Sequence, residues 1–358
     1  MDFGLSDEQK LLQDTIRKLL GAEFPPARAR AVSQLPSAHD ADLWAKLAEA
    51  GALGALVPEP HGGSGLSFLD AVLVAEEVGR AAGPGAFAAT AVMGAVAVAA
   101  AGDDALAKEV LPEIAAGSTR IGVGLAEATG ARDGAGVRLE RGRADGVALF
   151  VLDAVEADRL LLFTPRGLAL LGAKAPGVEV VPLVAVDGTR RFAEVRLRSV
   201  EPVAVIDALP RVLAAGRIAL AFDSLGASQR ALELALEYAS QRKQFGRVIG
   251  SFQAVKHMLS EIAAALEPAR SLAWYAAHAF DAEPHEAVRM AALCKAHLTE
   301  TATEILRKAT EVHGGIGFTE QYDLHLWFRR VALSRPLLGG PELLREEATR
   351  LRGESRPL

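Results

Sequence analysis

Two short segments in the C-terminal half carry residue types suited to holding phosphate oxygens. Gln241-Arg242-Lys243-Gln244-Phe245-Gly246 is followed closely by Ser251-Phe252-Gln253, and further on comes His313-Gly314-Gly315-Ile316-Gly317-Phe318. An arginine offers a planar fork of donors that matches a diphosphate. Adjacent glycines let a backbone and its N–H groups come close to such a ligand. Taken alone, Arg242 reads as an exposed charge at a helix end. His257 and His313 lie on or beside helical patterns, and nothing in the sequence marks either as a base. Cys294 sits within Ala-Leu-Cys-Lys-Ala-His and reads as a small packed side chain, not a nucleophile. No metal-ligating set stands out.

These segments must be positioned by what surrounds them. A chain of 358 residues is long enough for two or three domains with a sizeable core. Half of it is apolar, 23% is charged and the net charge is −6, which fits a soluble globular protein and argues against a nucleic-acid partner. The single cysteine excludes an internal disulfide and fits a cytoplasmic location. Asp2, Asp7, Glu8 and Lys10 break the N-terminus early, unlike a secretory leader. From Ala81 to Gly102 the chain carries no charge, a length of about 22 residues that could in principle span a bilayer. It is mostly alanine, with Gly83-Pro84-Gly85 near its start, so the expectation is a helix buried among helices and no membrane span.

Residues 1–116 read as helical. Ser6-Asp7-Glu8-Gln9 is a capping box, and Leu11, Leu12, Ile16, Leu19 and Leu20 recur at helical spacing. Trp44, Leu47 and Ala48 mark a second helix closed by Gly51, and another lies around Leu69 to Val78. From 117 to about 205, short apolar runs replace that period. Candidate strands are Ile121–Leu125, Val147–Leu152, Arg159–Phe163, Val178–Leu183 and Phe192–Leu197, in a small barrel or sandwich. Long helical patterns return over 207–243, 252–282 and 284–312, with a shorter one after them, as in an antiparallel four-helix bundle. The predicted class is mainly α with a middle β domain: a helical domain at 1–116, a β domain at 117–205 and a helical bundle at 206–358.

That order, with the two motifs, resembles the acyl-CoA dehydrogenase family over nearly the whole chain. Further marks are Val57-Pro58-Glu59-Pro60-His61-Gly62-Gly63-Ser64-Gly65-Leu66-Ser67, Glu76-Glu77-Val78-Gly79, Gly226, Arg230-Ala231-Leu232 and Tyr238-Ala239. The resemblance implies FAD as cofactor and an acyl-CoA substrate. Arg242 matches the family arginine that reaches the FAD pyrophosphate, and Phe245 the ring packed on the adenosine side. Gly314 and Gly315 match the glycines that approach the diphosphate, and Gln253 belongs to the same set. Glu311 stands at the family's glutamine position near the neighbouring FAD. In the family this set serves a flavin seated mainly in the neighbouring subunit.

The flavin-ring half departs from the family pattern. A Leu-Thr-Glu-Pro-x-Ala-Gly-Ser-Asp-like loop here reads Leu125-Ala126-Glu127-Ala128-Thr129-Gly130-Ala131-Arg132-Asp133. A Trp-Ile-Thr-like strand reads Phe150-Val151-Leu152, so the hydroxyl donors are lost and Arg132 replaces a serine. The family's catalytic glutamate takes the α-proton of the thioester. Its two known sites fall at Gly339, within Leu337-Leu338-Gly339-Gly340-Pro341, and at Gly216, beside the retained Arg217. Both are glycine, so no catalytic residue is assigned. Arg217 corresponds to a family arginine close to the CoA-bearing site.

Three readings follow. In the first, the chain is the non-catalytic partner in a heteromeric dehydrogenase, similar to the small subunits of α2β2 enzymes of bacterial steroid side-chain degradation. A homologous catalytic subunit then supplies the base. In the second, a homomeric dehydrogenase uses a displaced base such as Glu342, although a solvated helix-start glutamate is the blander account of that residue. In the third, the fold is a flavin-free scaffold. Glu233 and Glu237, four residues apart, are expected to face solvent.

Overall fold

The computed structural model describes residues 4–84, 86–130 and 135–354. Helix α1 (Asp7–Glu23) opens on the expected capping box, with Ser6 Oγ accepting from Gln9 N and Gln9 Oε1 accepting from Ser6 N. Ile16 and Leu20 enter the core, but Leu11 is 68% exposed, so the apolar stripe is narrower than its sequence suggests. Next come α2 (Pro26–Ser33) and α3 (Ala41–Glu49), the latter capped by Asp40, whose Oδ1 accepts from Leu43 N. Gly51, at φ +74°, turns the chain beyond it. Helix α4 (Phe68–Arg80) is buried over most of its length.

The uncharged stretch after α4 is not one helix. Ala82 takes φ +50°, and π-helical turns over Phe87–Gly94 precede α5 (Ala95–Ala99). The wider turns place Thr90 so that its Oγ1 accepts from Ile121 N at 2.9 Å, which satisfies the first donor of the sheet. Among the described residues no helix is long and apolar enough to cross a membrane. Helix α6 (Asp104–Ala115) ends the region.

Among the described residues, the middle of the chain forms one sheet of eight strands. They are β1 (Ile121–Gly124), β2 (Gly136–Glu140), β3 (Arg143–Leu152), β4 (Arg159–Thr164), β5 (Gly167–Gly172), β6 (Val178–Leu183), β7 (Phe192–Val200) and β8 (Ala204–Ile206). The order is β6-β7-β3-β1-β4-β5-β8, with β2 on β3. A short helix, α7 (Ala126–Gly130), follows β1, which lies parallel to β4 with Val123 opposite Leu161. The sequence predicts five of these strands and misses β2, β5 and β8. Strand β5, Gly-Leu-Ala-Leu-Leu-Gly, is apolar without alternation because both faces are covered, and such a run cannot be told from a helix by period. A bulge in β3 between Ala148 and Val151 holds Phe150 at φ +52° with its ring half-exposed.

Five α-helices complete the described chain: α8 (Leu209–Gln241), α9 (Gln253–Ala282), α10 (Pro284–His313), α11 (Leu324–Ser334) and α12 (Pro341–Glu354). Helices α4 and α8 cross with their backbones in contact. A Cβ at Gly79 would overlap Asp223 O, and one at Gly226 would overlap Glu76 O. Glu233 does not face solvent as expected. It is half-buried and pairs with Arg80 and Arg230, because α8 lies alongside α4 there; Glu237 is exposed.

Buried charge ties sheet to bundle. Arg330 on α11 and Arg190 in the loop before β7 both grip Asp223 on α8, at 2.6 and 2.8 Å. Arg330 also donates to Gly83 O and Thr189 Oγ1, and Arg190 to Ser334 Oγ. Burial would raise the Asp223 pKa, but the two guanidinium groups outweigh it and hold the carboxyl below its ordinary range. Nearby Asp153 fares differently. Burial pushes its carboxyl up to about 7 against the pull of Arg190 and Arg330, and its Oδ2 has no hydrogen-bond partner among the described residues.

That asymmetry gives a pH prediction. An acid whose pKa is raised on folding contributes stability that is complete below its unfolded pKa and lost as pH rises through the folded value. For Asp153 the window runs from about pH 4 to pH 7. Asp153→Asn stays neutral, so its stability relative to the parent should climb across that window and level off above it. Urea midpoints at a series of pH values test this, and a flat difference refutes it.

Candidate functional site

The six residues assigned to cofactor binding gather at one end of the bundle. Arg242 caps the C-terminus of α8, its N–H donating to Tyr238 O at 2.9 Å. A tight hairpin follows, β9 (Lys243–Gln244) against β10 (Arg247–Val248), turning through Phe245 and Gly246 at φ +53° and +78°. Two successive left-handed residues make the turn that best matches strand twist. Phe245 is an uncommon residue for such a position, and it is 92% exposed. Phe252 stands edge-on to it at 6.2 Å, with Arg247 over the Phe252 ring at 4.0 Å.

Gln253 begins α9 and is exposed. Helix α10 runs antiparallel to α9 and ends at His313, so Gly314 and Gly315 return to the same end. His313 stacks on Tyr238 at 4.6 Å, which locks the end of α10 to that of α8. Nothing lies within 4 Å of a Cβ placed on Gly314, Gly315 or Gly246, so these backbones are open to an approaching group. Glu311 is exposed and sits 3.6 Å from Arg307. Among the described residues the Arg242 guanidinium makes no hydrogen bond or ion pair. The site therefore offers an unspent cationic fork, bare backbone and exposed rings, Phe245 and Phe318.

A second feature lies where the sheet meets the bundle. A cavity of about 480 Å³ is walled by Val123 and Leu125 of β1, Phe150 and Leu152 of β3, Met93, Leu220 and the Leu337–Gly340 turn. Ala126 and Thr129 line it; Arg132 and Asp133 of the same loop lie outside the described residues. Thr129 is its one hydroxyl side chain among the described residues, and that hydroxyl donates to Ala126 O. No Asp, Glu, His, Lys or Arg is among the described lining residues.

Of the two glycines at the family's glutamate positions, Gly339 lines this space and Gly216 stands behind the Met93 and Leu338 side chains that wall it. A Cβ at Gly216 would come 2.5 Å from Met93 Sδ and 2.7 Å from Leu338 Cδ1. Gly339 sits at φ +106°, and a Cβ there would come 2.9 Å from Leu344 Cδ2. Glu342 points away. Its side chain is 74% exposed and bonds Arg335 at 2.9 Å, and its position at the start of α12, with that partner, holds its carboxyl below the ordinary range. Neither its exposure nor its low pKa suits a general base.

Arg217 lies behind the turn. It is buried, forks onto Glu347 of α12 at 2.7 and 2.8 Å and donates to Leu338 O at 3.0 Å. Lys295 on α10, which the sequence reading passes over, is its counterpart. Its Nζ donates to Arg335 O and Gly339 O at 3.0 and 2.8 Å. Burial, reinforced by Arg217 and Arg335, lowers its pKa to about 7. The available signal was a lysine on the stripe of Ala287, Ala291, Leu298 and Ala302, where every neighbour is buried. Cys294 beside it is buried, which pushes its thiol pKa up, as a packed side chain requires.

Comparison with known proteins fits this architecture. Residues 206–350 match the acyl-CoA dehydrogenase C-terminal domain and residues 6–118 the N-terminal domain. The chain belongs to the acyl-CoA dehydrogenase family. It is 31% identical to acyl-CoA dehydrogenase IpdE2 of Mycobacterium tuberculosis over 97% of each chain. Among solved structures, a variant of the Tcur3481-Tcur3483 steroid ACAD is 30% identical, with a TM-score of 0.89 and coverage of 97% of this chain and 98% of that one. The ChsE4-ChsE5 complex of Mycobacterium tuberculosis, 24% identical with a TM-score of 0.88 and full coverage of both chains, shares the fold.

Proposed function

We propose that this chain is the non-catalytic subunit of a heteromeric, FAD-dependent acyl-CoA dehydrogenase, and that it completes the flavin site of a homologous catalytic partner. The observation that carries this reading is the contrast between its two half-sites. The bundle end fits a dinucleotide diphosphate: Arg242 is unspent, and Gly314 and Gly315 leave backbone open. The cavity between sheet and bundle suits a flavin ring poorly, because the ring's polar edge needs donors and no unspent side-chain donor is among the described lining residues. When bound, FAD would accept hydride from the β-carbon of the acyl thioester. The residues of this chain would hold its diphosphate (Arg242, Gly314, Gly315), shield its adenosine side (Phe245) and border it through Gln253 and Glu311. Proton abstraction falls to the partner, since no carboxylate is among the described lining residues of the cavity here. The Leu-Leu-Gly-Gly-Pro ending and the steroid relative support a steroid-type acyl-CoA as substrate and an α2β2 assembly.

Purified alone, the chain should hold little flavin. Co-expressed with a longer relative that carries the threonine, serine and glutamate missing here, it should yield a yellow complex. Arg242→Ala in that complex removes a charge-assisted phosphate contact of about 1.5–3 kcal/mol, so flavin affinity should fall roughly 10- to 100-fold. A yellow, active homomer sinks the proposal, and so does a failure of any partner to restore flavin.

A further inference from the structure

Three arginines open onto one cleft. The cleft has a volume of about 230 Å³ and lies between α1, the start of α2, the end of α4, α8 and α11. Arg17, Arg80 and Arg230 line it, and Glu77 is the one carboxylate among its described lining residues. Arg17 takes both oxygens of Glu77, at 3.0 and 2.8 Å, with Asp14 beside it at 3.5 Å, so that cation is matched. The other two are not. Arg80 Nη2 and Arg230 Nη1 both donate to a single oxygen, Glu233 Oε2, while Gln229 reaches the other oxygen at 3.4 Å. Two guanidinium groups share one carboxylate, which leaves a surplus of one positive charge. Among the described residues, Nε and Nη1 of Arg80 and Nε and Nη2 of Arg230 have no hydrogen-bond partner. The buried Arg330 is different: its fork is engaged by Asp223, Gly83 and Thr189. Arg80 and Arg230 are partly open, with side chains 23% and 28% exposed, so a ligand can reach them. The rest of the described wall is largely apolar, with Leu20, Phe24, Pro25 and Pro26. Arg230 is steadied over the Trp327 ring at 6.0 Å, and Trp327 Nε1 takes the carbonyl of Arg80. Apolar walls of this kind strengthen a charge pair made against them.

We propose that this cleft binds a small oxyanion, inorganic phosphate or the phosphate of a monoester, through the free edges of Arg80 and Arg230. A guanidinium edge presents paired donors that match two oxygens of such a group. The bound anion ties the end of α4 to the middle of α8. Arg230 lies twelve residues before Arg242, about 18 Å along α8 at the helical rise. The site is therefore separate from the diphosphate-binding end, and the inference does not rest on the proposed function.

The test titrates the full chain with inorganic phosphate at constant ionic strength, with chloride as the balancing anion. Calorimetry and the thermal unfolding midpoint are the readouts. Saturable binding that survives Arg242→Ala is expected, with a midpoint that rises as the site fills. Arg230→Gln should weaken binding roughly 10- to 100-fold. Glu233→Gln should strengthen it roughly tenfold, because it removes the competing charge and frees two donors. A variant that merely folded badly could only weaken it. Gly21→Trp closes the cleft without touching a charge, since Gly21 lines it and nothing lies within 4 Å of a Cβ there. Affinity should fall about tenfold or more in that variant, with no loss of midpoint in phosphate-free buffer, because glycine is a poor helix former. Glycerol 3-phosphate competes if the site takes a monoester and does not if it takes the free ion; FAD should compete in neither case. Absence of saturable binding overturns the inference, as does its loss in Arg242→Ala or displacement by FAD. Unchanged or weaker affinity in Glu233→Gln, or full affinity in Gly21→Trp, overturns it equally.

Discussion

Asp223→Ala is expected to lower the free energy of unfolding by about 3–5 kcal/mol, the range for removing one partner of a buried ion pair. Asp223 is the only carboxylate that bonds both Arg190 and Arg330 among the described residues, and both arginines are almost fully buried. Truncation leaves two guanidinium groups in the interior with only the oxygens of Gly83, Thr189 and Ser334 to accept from them. Asp187 spends its Oδ1 on Thr189, and its Oδ2, 3.8 Å from Arg330, lies beyond hydrogen-bond distance. Ser334→Ala is the control: it deletes one bond to Arg190 and should cost about 1 kcal/mol. Guanidinium unfolding curves measure both, and a loss at Asp223 no larger than at Ser334 contradicts the assigned role.

Gly339→Glu, which restores a carboxylate where the family carries its base, should give no dehydrogenase activity in the chain alone. It should also destabilise the fold. Side chains at φ +106° are strained by about 1–3 kcal/mol, and overpacking on Leu344 adds about 1–3 kcal/mol. Gly339→Ala shares nearly all of that cost, because the Cβ itself meets Leu344 and the backbone is already fixed by Lys295 through Gly339 O. Turnover of an acyl-CoA with an artificial electron acceptor tests the first half and urea unfolding the second. Turnover by a Gly339→Glu homomer would mean that the flavin ring still finds a seat in the cavity.

The sequence reads the helices well. Each of the three long bundle patterns lies within two residues of its observed helix at either end, because α8, α9 and α10 carry long apolar periods and few breakers. The bundle-end residues also come together as their motifs imply, since two antiparallel returns place the end of α8, the start of α9 and the end of α10 side by side. What the sequence hides is interior polarity. Asp223 follows Ala221-Phe222 on a helix, and Lys295 follows Cys294; neither shows its partners, the most distant of which lie 107 and 44 residues away. Arg217 is legible as a retained arginine, but its tie to Glu347 depends on where α12 docks. The π-helical turns at Phe87–Gly94 meet Ile121 across a tertiary contact, and no local period announces them.

The crossing of α4 and α8 constrains how this chain can drift. Gly79 and Gly226 each face a main-chain oxygen, so the obstacle to a larger residue is backbone, which no substitution opposite can trim. Neither position can change first, and changing both only doubles the collision. The same oxygens belong to Asp223 and Glu76, whose side chains grip Arg330 and Arg270. A mutation that wedged the helices apart would therefore pull two buried ion pairs out of register at once. The pair acts as an evolutionary ratchet: substitutions can accumulate around it, but the helix separation it sets can be left only by rebuilding both sides together.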